Sequence, residues 1–409
     1  MTHPASRSAT GFVLMAVFLD MVGFGLIIPV LPTLIESVGH MTLAEAAFIG
    51  GWMFAAFSLA QFAFAPLMGA LSDRFGRRPL LLLAIGGLGV DYLFHALAPS
   101  VGWLFAGRVI AGICGSSYVI ANAYLADVTP PEGRARAFGL MGAAFGLGFV
   151  LGPALGGLLG SFGPRVPFWV AAAISGANLL WGYFVLPETL APQSRRAFRW
   201  REANPLGVLA VFRRYPGVLP LGAVLAVYFF GSAVYPAIWA FWGMAKFGWS
   251  EATVGLSLAG FGIVMAVAQG TLTGPAVARW GERRVLLVGL IVAALACVGY
   301  GFATGIVMVL VLLVLHAPEG FVHPMLAALM SRAVPEDAQG ALQGGISAAM
   351  NLAMLAGTLF FTQIFGYFLS DAAPVRTPNA AFLTAAVVLA GALAIYVVLM
   401  QRHKGLGDD

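Results

Sequence analysis

Seven ionisable side chains lie inside apolar runs long enough to cross a bilayer: Asp20, Asp91, His95, Arg108, His316, Glu319 and His323. An ionisable group at bilayer depth costs about 2.5 to 3.5 kcal/mol on insertion scales, so its default reading is functional. Asp20, ten residues into the first run, suits exchange of a proton or capture of a cation; a structural hydrogen bond to a neighbouring helix is the alternative. Asp91 and His95 are four apart, on one helix face, and can share a proton. Asp91 can equally line a pathway without exchanging. Glu319 and His323 repeat that spacing between Pro318 and Pro324, whose missing amide donors free carbonyls and bend a helix. A carboxylate at a broken helix suits a proton or substrate site; the competing reading is a helix-end pair facing water. Arg108, alone in its run, needs a carboxylate or carbonyl partner. His316 reads as interfacial or hydrogen-bonded in the core.

The elements that must position these groups are legible from composition. Of 409 residues, 60% are hydrophobic and only 10% charged, against about 25% charged in soluble domains. A soluble fold is thereby excluded. Twelve apolar segments, each near the roughly 20 residues a span requires, are expected at 11–35, 47–71, 79–98, 103–125, 137–160, 167–186, 218–243, 252–275, 285–304, 306–328, 339–366 and 379–400. The first is too long for a signal peptide, carries Asp20 and lacks a cleavage site, so it is read as retained. With both termini inside, all 22 basic residues except Arg165, Lys246, Arg376 and the intramembrane Arg108 fall on the cytoplasmic side. The net charge of +5 therefore reports membrane orientation, and no nucleic acid partner is implied. Cys114 and Cys297 lack metal-ligand spacing and read as small core residues.

The arginine-rich stretch 187–217 divides the chain into bundles of six spans at 1–186 and 218–409. This linker reads as cytoplasmic, either partly an amphipathic helix on the inner leaflet or a solvated tether. The halves repeat at an offset of 205: Arg74, Phe75, Gly76 and Arg78 fall on Arg279, Trp280, Gly281 and Arg283. A second pair of loops keeps the offset, with Pro130 over Pro335 and Glu132 over Asp337. An all-α membrane protein of two pseudo-symmetric six-helix bundles is the architecture of a carrier with a midplane site between repeats. Phe57, Gln61, Asn122, Tyr228, Tyr235, Trp239 and Gln269 could line an apolar cavity with few polar anchors, as suits amphipathic ligands. Packing against lipid or a neighbouring helix is the alternative for each aromatic.

Four stretches carry a family resemblance. "GALSDRFGRR", with Gly69, Asp73, Arg74, Gly76, Arg77 and Arg78, resembles the loop motif of the major facilitator superfamily between helices two and three. "LDMVGFGLIIPVLP" and "LFAGRVIAGICGS" resemble the first- and fourth-helix motifs of its twelve-helix drug/proton antiporters. "GLGFVLGPALGG", with Gly148, Gly152, Pro153, Gly156 and Gly157, resembles their fifth-helix antiporter motif. Within that branch the chain resembles the bacterial tetracycline/proton antiporters, and Asp20 and Asp91 match their acids in helices one and three. Ala293 and Met265 stand where that pattern has an acid and a histidine, and Glu319 and His323 stand where it has neither. Glu319 is therefore a candidate to replace the acid missing at 293.

The resemblance implies a proton-coupled exporter of small amphipathic, drug- or tetracycline-like compounds, multi-pass in a bacterial inner membrane, working as a monomer with protons and lipid as its other partners. It further implies a latch in which the loop arginines pair with Asp73 and with Asp127. Positive-inside anchoring alone would explain the arginines but not Asp73. Because Ala278 replaces the aspartate in the second copy, that latch is expected to be weaker or absent. The helix-five glycines, Gly142, Gly146 and Gly160 included, are expected to admit a close neighbour, as generic packing or as a flexible seam. A metabolite or siderophore carrier, importing or facilitating, is the second reading. A membrane enzyme or sensor is a third, and no P-loop, HExxH or nucleophile elbow supports it. No catalytic residue, metal or prosthetic cofactor is expected.

Overall fold

A computed structural model describes residues 4–404 apart from 116, 131–132, 192, 194, 196–208, 216 and 336–337. Among them, twelve helices are long and apolar enough to span a membrane: α1 (Thr10–Ile27), α2 (Leu43–Phe75), α3 (Arg77–Leu97), α4 (Val101–Val128), α5 (Arg136–Gly160), α6 (Val166–Val185), α7 (Leu219–Phe247), α8 (Glu251–Thr271), α9 (Thr273–Phe302), α10 (Ile306–Ser331), α11 (Gln339–Leu369) and α12 (Ala380–Gln401). Within hydrocarbon a backbone must satisfy its own hydrogen bonds, which makes the helix the obligatory answer to such a composition. Large apolar side chains such as Leu180, Phe184, Val307, Val311, Leu315 and Val387 point outward; a lipid solvent accepts them, water would not. The chain is a multi-pass membrane protein.

Two compact units form. The first comprises 1–42, 52–205 and 249–259, the second 43–51, 206–248 and 260–409. In the first, α1 packs along α5 and α6, and α3 against α4 and α6; one end is filled by Phe12, Leu81, Ile85, Ile120, Tyr124 and Met141. In the second, α9 lies along α12 and α7 against α11 and α12.

Breaks in the helices matter more than the helices. The first span stops at Ile27, short of the expected residue 35; a turn follows, and a separate helix Leu31–Gly39 starts with a proline in its first turn. Pro32 has no amide hydrogen, so it opens a new helix more readily than it continues an old one. α7 hinges at Ala233. α10 is interrupted by a tight 3₁₀ turn, Ala317–Phe321, with Pro318 at its second position. The expected loop after helix eight is instead helical, continuous through α9 except at Gly281 (φ +75°).

Candidate functional site

In the first unit, α1, α2, α3, α4 and α5 enclose a cavity of about 200 Å³. Asp20, Phe57, Gln61, Asp91 and Arg108 all line it, so the structure brings together five residues singled out from the sequence. Arg108 Nη2 donates to Asp91 Oδ2 at 2.5 Å. His95 Nδ1 lies 3.0 Å from Asp91 Oδ1, with a better-directed bond of 2.9 Å to the Asp91 carbonyl, and its ring stacks on Phe168. This arrangement needs close backbones: a side chain at Gly107 would strike Asp91 and His95.

The two carboxylates of the cavity differ in kind. Asp91 is neutralised by an arginine, which stays charged at any physiological pH. Asp20, almost fully buried, makes no ion pair among the described residues and has the Ser117 hydroxyl as a hydrogen-bond partner. A buried carboxylate without a cation is stable only if it takes a proton or a cationic ligand. Among the described residues, Asp91 Oδ1, Arg108 Nε and His95 Nε2 have no hydrogen-bond partner, leaving polar valences in or beside a mostly apolar chamber. Phe24, Tyr92, Phe145 and Phe149 add aromatic wall beside Met21, Ile27, Leu88 and Ala111; no local pattern singled the four aromatics out. Gln61 donates to the Gly115 carbonyl at 3.2 Å, tying α2 to α4. Asn122 is not part of this lining; it bonds the Tyr118 carbonyl of its own helix.

A second polar cluster is buried in the second unit. The sequence pairs Glu319 with His323, but the structure pairs it with His316, three residues earlier. In a 3₁₀ turn side chains three apart eclipse, which swings Glu319 back towards His316 and leaves His323 exposed, edge-on to Phe229. Tyr228 and Ser232 donate to Glu319 Oε1 at 3.0 and 2.8 Å, and Tyr300 Oη lies 3.3 Å from His316 Nδ1. Tyr235 packs on the His316 ring and meets the Cys297 thiol. Trp239 joins the aromatic group of Trp242, Tyr300 and Phe382. Gln269 donates to the Gly320 carbonyl at 3.3 Å. Of the four residues expected to touch substrate here, Tyr228 bonds the acid itself, Tyr235 packs on its histidine, Gln269 holds the next residue and Trp239 lies in the aromatic group behind. Ser232 and His316 were not foreseen as partners of the acid, nor Tyr300 as the partner of His316.

At the junction of α2 and α3, Arg77 bonds Asp73 at 2.6 Å, Asp127 at 3.2 Å and Ser72 at 2.7 Å. Arg78 donates to the Tyr183 carbonyl, whereas Arg74 lies over the Phe75 ring. Glu188, unforeseen, accepts both the Arg77 and Arg78 amides, capping the start of α3. A carboxylate is favourable at that end of a helix. Gly76 (φ +109°) turns the chain, and any side chain there would hit Glu188. Gly69 is less constrained: a Cβ added there would come no nearer than 3.8 Å to Val119.

On α5, side chains at Gly148, Gly152 and Gly156 would strike the backbone of α1 at Phe18, Val22 and Leu26, and Pro153 itself crowds Gly25. Gly157 is closed off by Glu251 and Ala252, Gly160 by Val30 and Glu251. Gly142 and Gly146 have nothing within 4 Å, so the expected close approach does not extend to them. Glu132 and Asp337, matched in the second loop repeat, and most of the 187–217 linker lie outside the described residues.

The sequence profile of the Major Facilitator Superfamily matches residues 13–242 and 221–407. The chain is 42% identical to "Tetracycline resistance protein, class C" of Escherichia coli over 88% of its length and 90% of that protein's, and 40% identical to the class G protein of Vibrio anguillarum over 88% and 91%. Among solved structures, the human organic anion transporter MFSD10 superposes with a TM-score of 0.69 at 27% identity, covering 96% of this chain and 100% of that one. The inward-facing, occupied bacterial Spinster homologue shares the fold, with a TM-score of 0.80 at 16% identity and 98% coverage of each chain.

Proposed function

Because the chain belongs to the major facilitator superfamily, we propose that it is a proton-coupled antiporter that exports small amphipathic compounds, tetracyclines among them, by alternating access. The family and these relatives are transporters, which points away from an enzyme. One observation carries the reading: Asp20 is a buried carboxylate without a cation, lining a cavity whose other acid is already balanced by Arg108. Asp20 is the group that exchanges, a proton arriving as a cationic or polar substrate leaves. Asp91, Arg108 and His95 hold the charge field around it, and Phe57 and Gln61 contact the substrate.

In this reading the two bundles, 1–186 and 218–409, joined by 187–217, are the moving bodies of alternating access in a single chain. The Lys/Arg bias supports a bacterial inner-membrane protein with both termini cytoplasmic. The Asp73–Arg77–Asp127 network is the latch that favours one access state, and Gly148, Gly152, Pro153, Gly156 and Gly157 are the seam along which α5 moves. The test is substrate-dependent proton flux in everted vesicles. Wild type should exchange protons for a tetracycline; Asp20→Asn, while still folding, should lose at least about 90% of that flux, since the group itself carries the proton. Full flux in Asp20→Asn would sink the assignment. A second reading, a carrier of organic anions or metabolites, is favoured by the unpartnered Arg108 Nε at the cavity and by the likeness to the human organic anion transporter. Vesicles that move anions but no tetracycline would decide for it.

A further inference from the structure

We propose that Glu319 and His316 form a second proton-holding centre, in the second unit, that binds and releases one proton as a pair. The argument is one of charge balance. Glu319 is nearly fully buried, as is His316, and every element packed on them supplies only neutral or weakly acidic groups. From α7 come Tyr228, Ser232 and Tyr235; from α9 come Tyr300 and Cys297, the latter through Tyr235. Phe261 of α8 stacks on His316, Met265 and Gln269 cover the adjoining Gly320, and Phe382 of α12 packs behind Tyr235 and Tyr300. His323 faces away, against Phe229. The lysine of this region, Lys246, is engaged with the carbonyls of Tyr300 and Gly301. Among the described residues no lysine or arginine contacts Glu319.

The counter-charge of this carboxylate is therefore a proton. Carboxylate with imidazolium and carboxylic acid with neutral imidazole are two forms of one neutral pair, and both hold a single exchangeable proton. Its loss from the imidazole nitrogen to water leaves a neutral ring and a carboxylate held by two hydroxyls. Asp91 cannot do this, because its counter-charge belongs to a guanidinium that does not deprotonate. The built geometry supports release: Oε1 keeps the Tyr228 and Ser232 donors whether or not Oε2 keeps its own. Tyr300 can shift between donating to His316 Nδ1 and accepting from it, since a phenol does both. The 3₁₀ turn at Pro318 fixes the two members in register.

For its place in a transport cycle this inference rests on the exporter reading; the proton binding itself does not. The test counts protons released by the purified full-length protein in detergent as pH rises from about 5 to about 9, a range bracketing ordinary imidazole titration. Wild type should release one more proton than Glu319→Gln, whereas His316→Gln, in which Glu319 keeps the shared proton itself, should keep the amplitude and shift the midpoint. Adding His316→Gln to Glu319→Gln should remove no further proton, because the two share one, whereas adding Asp20→Asn should remove another. Tyr228→Phe, which spares both members, should keep the amplitude and shift the midpoint. Full release by Glu319→Gln, a two-proton loss in the double variant, or an unmoved midpoint in both His316→Gln and Tyr228→Phe would each overturn the proposal. Vesicle flux measured in parallel separates the readings: an intact proton count without export sinks the exporter, and export with no proton at this pair sinks the second centre.

Discussion

The two units repeat a backbone but not its charges. Gly76 and Gly281, 205 positions apart, both turn the chain with positive φ. At the same offset Arg77 bonds Asp127 while Glu282 bonds Arg332 at 2.5 Å, so the second loop keeps the cross-link with its signs exchanged. The expectation of a weak or absent second link followed from Ala278 alone; the structure supplies another pair. Helix ends repeat too. Arg165 donates to the Ala96 and Ala98 carbonyls at the end of α3, and Lys246 to those of Tyr300 and Gly301 at the end of α9. Arg376 donates to the Ser370 carbonyl past α11. The basic residues that break the one-sided distribution thus each satisfy helix-terminal carbonyls. Inside the spans the likeness ends: Ala296 and Leu313 stand at the offsets of Asp91 and Arg108, and the second unit's acid comes from α10. Duplication preserved what the backbone requires and released the intramembrane charges to specialise, one unit with a permanent pair, the other with a pair held by a proton.

The sharpest break of this comparison is Arg108→Gln. It leaves Asp91 buried without its cation, and losing one partner of a buried pair costs about 3 to 5 kcal/mol. The melting temperature in detergent should fall steeply. Asp91→Asn added to Arg108→Gln should recover most of it, because the charge left alone is the cause. His316→Gln should cost less, since Glu319 can keep the proton itself. Equal losses for the two would mean that the pairs do not differ in kind.

Why one pair was legible and the other was not has a local cause. Asp91 and His95 sit four apart on an unbroken helix, and a buried arginine has to find an acid, so that site follows from spacing and composition. Regular helical spacing pointed Glu319 at His323, but Pro318 tightens the turn and swings the acid to His316. Its further partners, Tyr228 and Ser232, come from α7, and Tyr300, the partner of His316, from α9, with no signature near Glu319. Glu188 is a similar case, a cap delivered from 111 positions away. Twelve spans were legible because hydrocarbon leaves little choice. Their breaks at residues 28–30 and Ala233 were not, and the loop expected after helix eight is helical except at Gly281. α5 sets a graded test of the rest: Gly156→Val forces a side chain into the α1 backbone and should cost about 1 to 3 kcal/mol as overpacking, whereas Gly146→Ala, facing open space, should be neutral or slightly stabilising.

A smaller effect sharpens the comparison of the loops. Arg77 is mostly buried and holds three partners, whereas Arg332 is 72% exposed and holds one acid. Arg77→Ala should cost about 1 to 2 kcal/mol, beyond the range of a solvated pair, and Arg332→Ala less than about 0.5 kcal/mol. Exchanging the signs at 282 and 332 together should restore the second link, while the same exchange at 77 and 127 should not, because Asp73 would then face an acid. Double-mutant cycles on thermal unfolding measure both.

The smallest predicted effect concerns acidity rather than packing. Glu36, on the short helix Leu31–Gly39 outside the spans, is pushed above its ordinary carboxylate range, first by burial and then by the neighbouring charge of Glu251. A raised acid binds its proton more tightly in the folded protein than in the unfolded chain. Its ionisation therefore withdraws stability as pH rises from 4.5, the unfolded value, through the folded one. Glu36→Gln should match wild type below that window and melt slightly higher above it. At this exposure solvent screening keeps the gain well under about 1 kcal/mol. A gain that persists below the window would assign the effect to packing, and one that vanishes in Glu251→Gln would assign it to the acid pair.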